Sequence, residues 1–346
     1  MVISKANKDT FNAMKAIAMM GVLLIHSDLR DGGIGTTGVL NNFQHIMCLI
    51  FPMASVPVFF CLSGYFLFNK YNYLDKLKTR FKSLVVPFVV WCLIGLAIVY
   101  MLQVVLGLES MFANSKTKLI KDFTFVDYIR SFWDIRDGSF PITSPLWYLR
   151  DLIVLVAMSP IVKWCVDRIG WLFVGVVFVL AFFGLHIGPL SISSLLYFAL
   201  GATCMIKGAD DFSRIGGGKI LYISIVLLIA SCLCYIMQWN TLRDSFSLLY
   251  AVSCIPSLYY ICSYKNIRES QLLQKITGAS FFIYLFHEPW LGYLQKACYR
   301  FVHLPEWTAC FMLFVFPIII LMTGYLFYSF LKRYMPKTLS LLTGSR

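Results

Sequence analysis

Lys15 and His26 stand eleven residues apart in an apolar stretch, Phe11-Asn-Ala-Met-Lys15-Ala-Ile-Ala-Met-Met-Gly-Val-Leu-Leu-Ile-His26. At about 100° per residue this is three helical turns plus roughly 20°, so both side chains share one stripe, about 16 Å apart along the axis. An ionisable group facing hydrocarbon costs about 2.5 kcal/mol or more, so such groups point into a protein interior or a polar cavity. An imidazole near neutrality suits the removal of a proton from a hydroxyl, and a cation suits the stabilisation of developing negative charge. The plainer alternative is a buried pair that only hydrogen-bonds neighbouring helices.

A second histidine lies late in the chain, in Ser280-Phe-Phe-Ile-Tyr284-Leu-Phe-His287-Glu288-Pro289. Pro289 has no N–H, so the carbonyl of Leu285 loses its helical donor and a distortion is expected there. The run Pro145-Leu-Trp147-Tyr148-Leu-Arg150-Asp151 places an adjacent cation and anion just inside another apolar helix. Neighbours in sequence point about 100° apart, so Arg150 and Asp151 are expected to meet another helix, a substrate or water rather than simply each other.

Two further clusters have competing readings. Phe60-Cys-Leu-Ser63-Gly64-Tyr65 follows Pro52 and Pro57 and is read first as a close helix contact. Lys76, Lys78, Arg80 and Lys82 precede Pro87. They serve either to hold a loop on the cytoplasmic side or to bind the phosphates of an anionic cytosolic donor.

Other patterns carry no chemistry. Gly33-Ile-Gly35-Thr-Thr-Gly38 fits a dinucleotide fingerprint but follows no strand. Gly216-Gly-Gly-Lys219 lacks phosphate-loop spacing, and His45, His186 and His303 fall at span ends. The eleven cysteines lie mostly inside apolar runs, where they act as small hydrophobes, and show no metal or redox spacing.

The elements that must position these residues are membrane helices. The chain is 59% hydrophobic and 14% charged with mean hydropathy +0.74, a composition that excludes a soluble protein. Its net charge of +13 gathers in short loops, which argues against nucleic acid and for cytoplasmic loops facing anionic headgroups. Ten spans can be drawn, at about 11–27, 45–69, 84–108, 146–162, 169–186, 190–206, 220–238, 244–263, 279–298 and 308–331. The expected fold is an all-α polytopic transmembrane bundle, with 1–346 as a single membrane domain, no appended soluble domain and an uncleaved first span. With both termini cytoplasmic, the inner segments hold more than twice as many Lys and Arg as the outer ones. The long outer loop 109–144 mixes Phe123, Phe125, Tyr128, Phe132, Trp133 and Phe140 with acids such as Asp134 and Asp137. It reads as an amphipathic cap, either a sugar-binding surface or an interfacial helix that binds nothing.

Taken together, these segments resemble the membrane acyltransferase-3 family, integral membrane proteins that acylate extracytoplasmic sugars and related acceptors. Lys15 and His26 are similar to its first-helix pattern of a basic residue, ten residues and a histidine, although the family more often has arginine. Phe60 to Tyr65 resembles its Phe-x-x-Ser-Gly-Tyr segment, Lys78 to Pro87 its basic-loop-to-proline segment, Leu146 to Leu152 its Trp-Phe-Leu segment, and Ser280 to Pro289 its Tyr-x-x-His segment.

The resemblance implies an O-acyltransferase of the cell inner membrane. It would move acetyl from cytosolic acetyl-CoA, a co-substrate rather than a bound cofactor, to a hydroxyl of a surface polysaccharide or lipid-linked glycan. No metal is implied. His26 is then the base, with Lys15, His287 and Glu288 as supporting catalytic groups; Lys15 or His287 would stabilise negative charge, and Glu288 or Asp151 would orient an imidazole. Lys78, Arg80 and Lys82 hold the donor, while Ser63, Trp147, Arg150, Asp151 and Tyr284 support the acceptor or the structure. Without the esterase-like domain of some relatives, the chain acylates its acceptor directly or relies on a separate partner protein, and a homo-oligomer stays open. The rival reading is a secondary transporter or flippase using the intramembrane Lys, His and Glu, which an internal repeat would favour.

Overall fold

A computed structural model describes residues 3–29, 38–109, 118–136, 139–187, 190–208, 217–301 and 305–345. The described chain is almost wholly helical: α1 (Lys5–Ile25), α2 (Gly38–Phe68), α3 (Tyr73–Val105), α4 (Phe125–Arg130), α5 (Trp147–Ala157), α6 (Ser159–Ile169) and α7 (Trp171–Phe182). After a two-residue hairpin, β1 (His186–Ile187) with β2 (Leu190–Ser191), come α8 (Ile192–Ile206), α9 (Gly218–Ile236), α10 (Asn240–Ser263), α11 (Lys265–Arg268), α12 (Gln271–Phe301), α13 (Glu306–Tyr334) and α14 (Pro336–Thr343). Among the described residues, α2, α3, α9, α10 and α13 are each long and apolar enough to cross a membrane, and α6 with α7 would make a sixth crossing. This is an integral membrane protein of helical class.

Two interleaved compact units share the chain. The larger comprises 1–71, 160–185 and 192–327, and the smaller 72–159, 186–191 and 328–346.

In the larger unit, α1 packs against α12, α2 and α10. Backbone meets backbone where α2 packs on α8. A Cβ on Gly64 would collide with the carbonyl of Phe198, and one on Gly201 with the carbonyl of Cys61, so glycine is what lets the two backbones meet. The close-packing reading of Ser63-Gly64 therefore holds. Proline leaves its mark along α2: His45–Ile50 is π-helical and Phe51–Ala54 is 3-10, with Pro52 inside the tighter turn.

The spans drawn at 146–162 and 169–186 are corrected. The helix beginning at Trp147 stops at Ala157, and a new helix starts at Ser159 with Pro160 in its first turn, where proline fits because no N–H is needed. That helix, α6, then meets α7 at a bend of 117° around Gly170, whose φ of +54 favours glycine. Ile161 and Trp164 of α6 are exposed, as on an interfacial helix. A continuous apolar run hides such a corner, because hydropathy carries no information on direction.

In the smaller unit, α4 opens with a capping box. The Asp127 carboxylate accepts from the Thr124 backbone N–H (2.9 Å) and hydroxyl (2.8 Å) and pairs with Lys118 (3.2 Å). Those donors, the Thr124 N–H first, hold its pKa down to about 2. Phe125, Val126, Tyr128 and Ile129 are left exposed, and Asp137 lies outside the described residues. At the other end of the unit α14 folds back: the Trp91 indole donates to the carbonyl of Leu342 (3.0 Å), and Gly344, at φ +66, closes on the backbone of Lys82 and Ser83.

Candidate active site

Two parallel helices bring the histidines together. Asn12 Nδ2 of α1 donates to Gln274 Oε1 of α12 (3.1 Å), Gln274 Nε2 donates to the carbonyl of Asp9 (3.2 Å), and the Thr277 hydroxyl reaches the carbonyl of Asn12. From this polar seam, His26 is fourteen residues further along one helix and His287 ten to thirteen along the other, about 21 Å and about 15–20 Å away at the helical rise. The seam thus sets the register, and the two imidazole rings meet with centroids 4.9 Å apart, tilted by 59°.

His26 is half-buried and closes its helix rather than sitting within it. It is the C-cap, with φ −84 and ψ 1. The turn it begins is tied from three sides. The Ser27 hydroxyl donates to the carbonyl of Leu24 (2.7 Å), Leu29 N–H donates to Gln44 Oε1 (2.9 Å), and Gln295 Nε2 lies 3.5 Å from the carbonyl of His26. Gln44 and Gln295 are buried, and both were missed as site residues in the sequence. The available signal was an uncharged amide within or beside an apolar span, where an unpaired polar group is costly.

His287 is fully buried, and its Nδ1 lies 2.6 Å from the carbonyl oxygen of Tyr284. A carbonyl only accepts, so Nδ1 carries the proton. The expected distortion follows immediately: Glu288 has φ −106 and ψ 133, the extended conformation that a following proline imposes. Lys15, half-buried, holds its ammonium 4.9 Å from the centre of the Phe66 ring. Phe66 in turn packs on Phe11, one turn before Lys15, at 5.4 Å. Ser63 is half-buried on α2.

The remaining expected site residues belong to the smaller unit. Arg150 and Asp151 are both buried and, contrary to the sequence argument, pair with each other: Arg150 Nε and Nη2 reach Asp151 Oδ1 at 3.1 and 2.8 Å. The guanidinium sits at the end of a stem long enough to curl back across 100° of helix. Nη1 also donates to the carbonyls of Trp133 (2.6 Å) and Ser139 (2.7 Å), which belong to the loop after α4 and not to another helix, and the cation lies 5.6 Å from the Trp133 ring centre. Trp147 is half-buried on the first turn of the same helix. Lys78 and Lys82 are exposed, and Arg80 is half-buried with Tyr148 among its electrostatic partners. The helix passes into a π turn at Phe81–Val85, which ends two residues before Pro87.

Fold and site thus define a helical membrane protein with a histidine pair at the end of one helix and the break of another. The acyltransferase domain matches residues 9–326, nearly the whole chain, and the protein belongs to the acyltransferase-3 family. Among curated proteins, the chain is similar to the succinoglycan biosynthesis protein ExoH of Rhizobium meliloti (strain 1021), 23% identical over 356 residues that cover 97% of this chain and 91% of the relative. No solved structure matches it.

Proposed function

We propose that this acyltransferase is an O-acetyltransferase of the cell inner membrane, moving acetyl from cytosolic acetyl-CoA to a hydroxyl of a carbohydrate such as a surface polysaccharide or lipid-linked glycan. The observation that carries the reading is the pair of imidazoles 4.9 Å apart within a membrane helix bundle. The similarity to a protein named for the biosynthesis of a glycan supports a carbohydrate acceptor.

A sugar hydroxyl is a poor nucleophile at neutral pH, and His26 removes its proton as the oxygen attacks the thioester carbonyl. Lys15, about 16 Å from His26 along the same helix stripe, lies beyond hydrogen-bond reach of the oxyanion that forms there and adds positive potential to the donor's path instead. Lys78, Arg80 and Lys82 hold the phosphates of the donor from the cytoplasm. This assignment goes with a ten-span frame that keeps both termini and the 70–83 segment inside, in line with the distribution of Lys and Arg.

The test is mass spectrometry of surface glycans from cells carrying the wild type or His26→Ala. The variant removes a polar group from the bundle and so leaves insertion intact, while the glycans lose the mass of one acetyl group per modified site. Unchanged acetylation in His26→Ala would remove the assignment.

A further inference from the structure

His287 has a second ring nitrogen that the bundle leaves unsatisfied. Nδ1 is committed as a donor to the Tyr284 carbonyl at 2.6 Å, so in the neutral ring Nε2 is a bare lone pair. The side chain is fully buried, and this Nε2 has no hydrogen-bond partner among the described residues. A buried acceptor left without a donor is costly, and native proteins keep one chiefly where something must arrive. The ring that bears it lies against that of His26, and the backbone breaks one residue later, at Glu288.

We propose that His26 and His287 form a two-base proton relay, in which Nε2 of His287 receives a proton from His26 during transfer. This rests on the acyl-transfer reading above. A lone pair of the acceptor hydroxyl oxygen forms the C–O bond to the thioester carbonyl carbon, whose π electrons move to its oxygen. The hydroxyl proton goes to one nitrogen of His26, whose ring turns to bring its other N–H within hydrogen-bond reach of Nε2 of His287, and that second proton goes to Nε2. Collapse of the tetrahedral adduct breaks the C–S bond, the pair leaves on sulfur, and the thiolate recovers a proton by the reverse route. The short Nδ1–H bond to Tyr284 strengthens as His287 becomes cationic, so the charge rests where an acceptor is already in place. This role differs from the oxyanion donor expected of His287 in the sequence, since the neutral ring offers a lone pair there and no N–H.

Two measurements on the full chain test the relay. Solid-state NMR of 15N-histidine-labelled protein in lipid bilayers, with His287→Gln identifying the resonances, is expected to show His287 as the Nδ1–H tautomer. In native membrane vesicles, which carry their own acceptor, thiol release from acetyl-CoA in H2O/D2O mixtures is expected to give a curved proton inventory, two protons moving together. In His287→Gln the inventory becomes linear and kcat falls by about 10²-fold or more, with the half-saturation concentration of acetyl-CoA unchanged. His287→Asn retains an N–H for the Tyr284 carbonyl but nothing at the Nε2 position, and is equally impaired. Turnover with the Nε2–H tautomer, a linear wild-type inventory, or a fully active His287→Gln overturns the relay and leaves the acyl-transfer reading standing. A wild type with the Nδ1–H tautomer but no thiol release removes that reading, and the relay with it.

Discussion

Replacing Arg150 by Met is the most informative perturbation of the smaller unit. The guanidinium donates twice to Asp151 and once each to the carbonyls of Trp133 and Ser139, and it is 2% exposed. At about 1.5–3 kcal/mol for each charge-assisted bond a simple sum would overshoot, because the bonds share one group and do not add. A better guide is the loss of one partner from a buried ion pair, about 3–5 kcal/mol, most of it from the carboxylate left behind. We expect about 4 kcal/mol, on the order of 10³-fold in the folding equilibrium at about 1.4 kcal/mol per tenfold. Adding Asp151→Asn should recover much of it by removing the stranded charge, while the loop after α4 stays untethered and open to protease. The assay is SDS-induced unfolding of the full chain in micelles, followed by tryptophan fluorescence, with limited proteolysis of residues 118–142. A loss below about 1 kcal/mol with unchanged proteolysis would refute a tethering role.

Gly201→Ala drives a methyl into the Cys61 carbonyl and should cost at least about 1–3 kcal/mol in the same unfolding assay, whereas Gly175→Ala, which meets open space in α7, should be neutral or gain up to about 1 kcal/mol. Asp127 has a folded pKa of about 2 against an ordinary value of about 3.9. The folded state therefore binds fewer protons there than the unfolded one, so its stabilisation of α4 is complete above pH 4, falls as pH drops toward 2, and is absent in Asp127→Asn, as read by hydrogen exchange of residues 124–130. Exchanging Lys78, Arg80 and Lys82 together for Gln should raise the half-saturation concentration of acetyl-CoA about tenfold, at about 0.5 kcal/mol per screened charge, with loop orientation unchanged by cysteine labelling; an unchanged value means that the segment only sets topology.

Local chemistry was legible in the sequence where one residue type dictates the backbone. Pro289 announced the break at Glu288, and Ser63-Gly64 announced a close helix contact. Features that depend on the reach of a side chain or the direction of the chain were not. The Arg150–Asp151 pair turns on the flexible stem of arginine, and the corner between α6 and α7 lies in a run whose hydropathy is continuous. The apposition of His26 and His287 is non-local in another sense. It depends on the register that Asn12, Gln274 and Thr277 impose on two helices far apart in the chain, and no single-residue pattern encodes it.

The break at Glu288 has an electrical consequence as well. Pro289 cannot supply an N–H to Leu285, so the first half of α12 ends with carbonyl density uncompensated by its own helix, and the second half begins with amide protons in the same condition. Partial charges of opposite sign, near half an elementary charge at each terminus in the limit of a full helix, therefore meet within one turn of His287. In the acetyl transfer proposed above, a guest that brings both a hydroxyl proton and a developing oxyanion would meet backbone of either polarity there. That polarity is built into the chain direction, so it needs no further ionisable residue in the bilayer and stays the same at every pH at which the helix is folded.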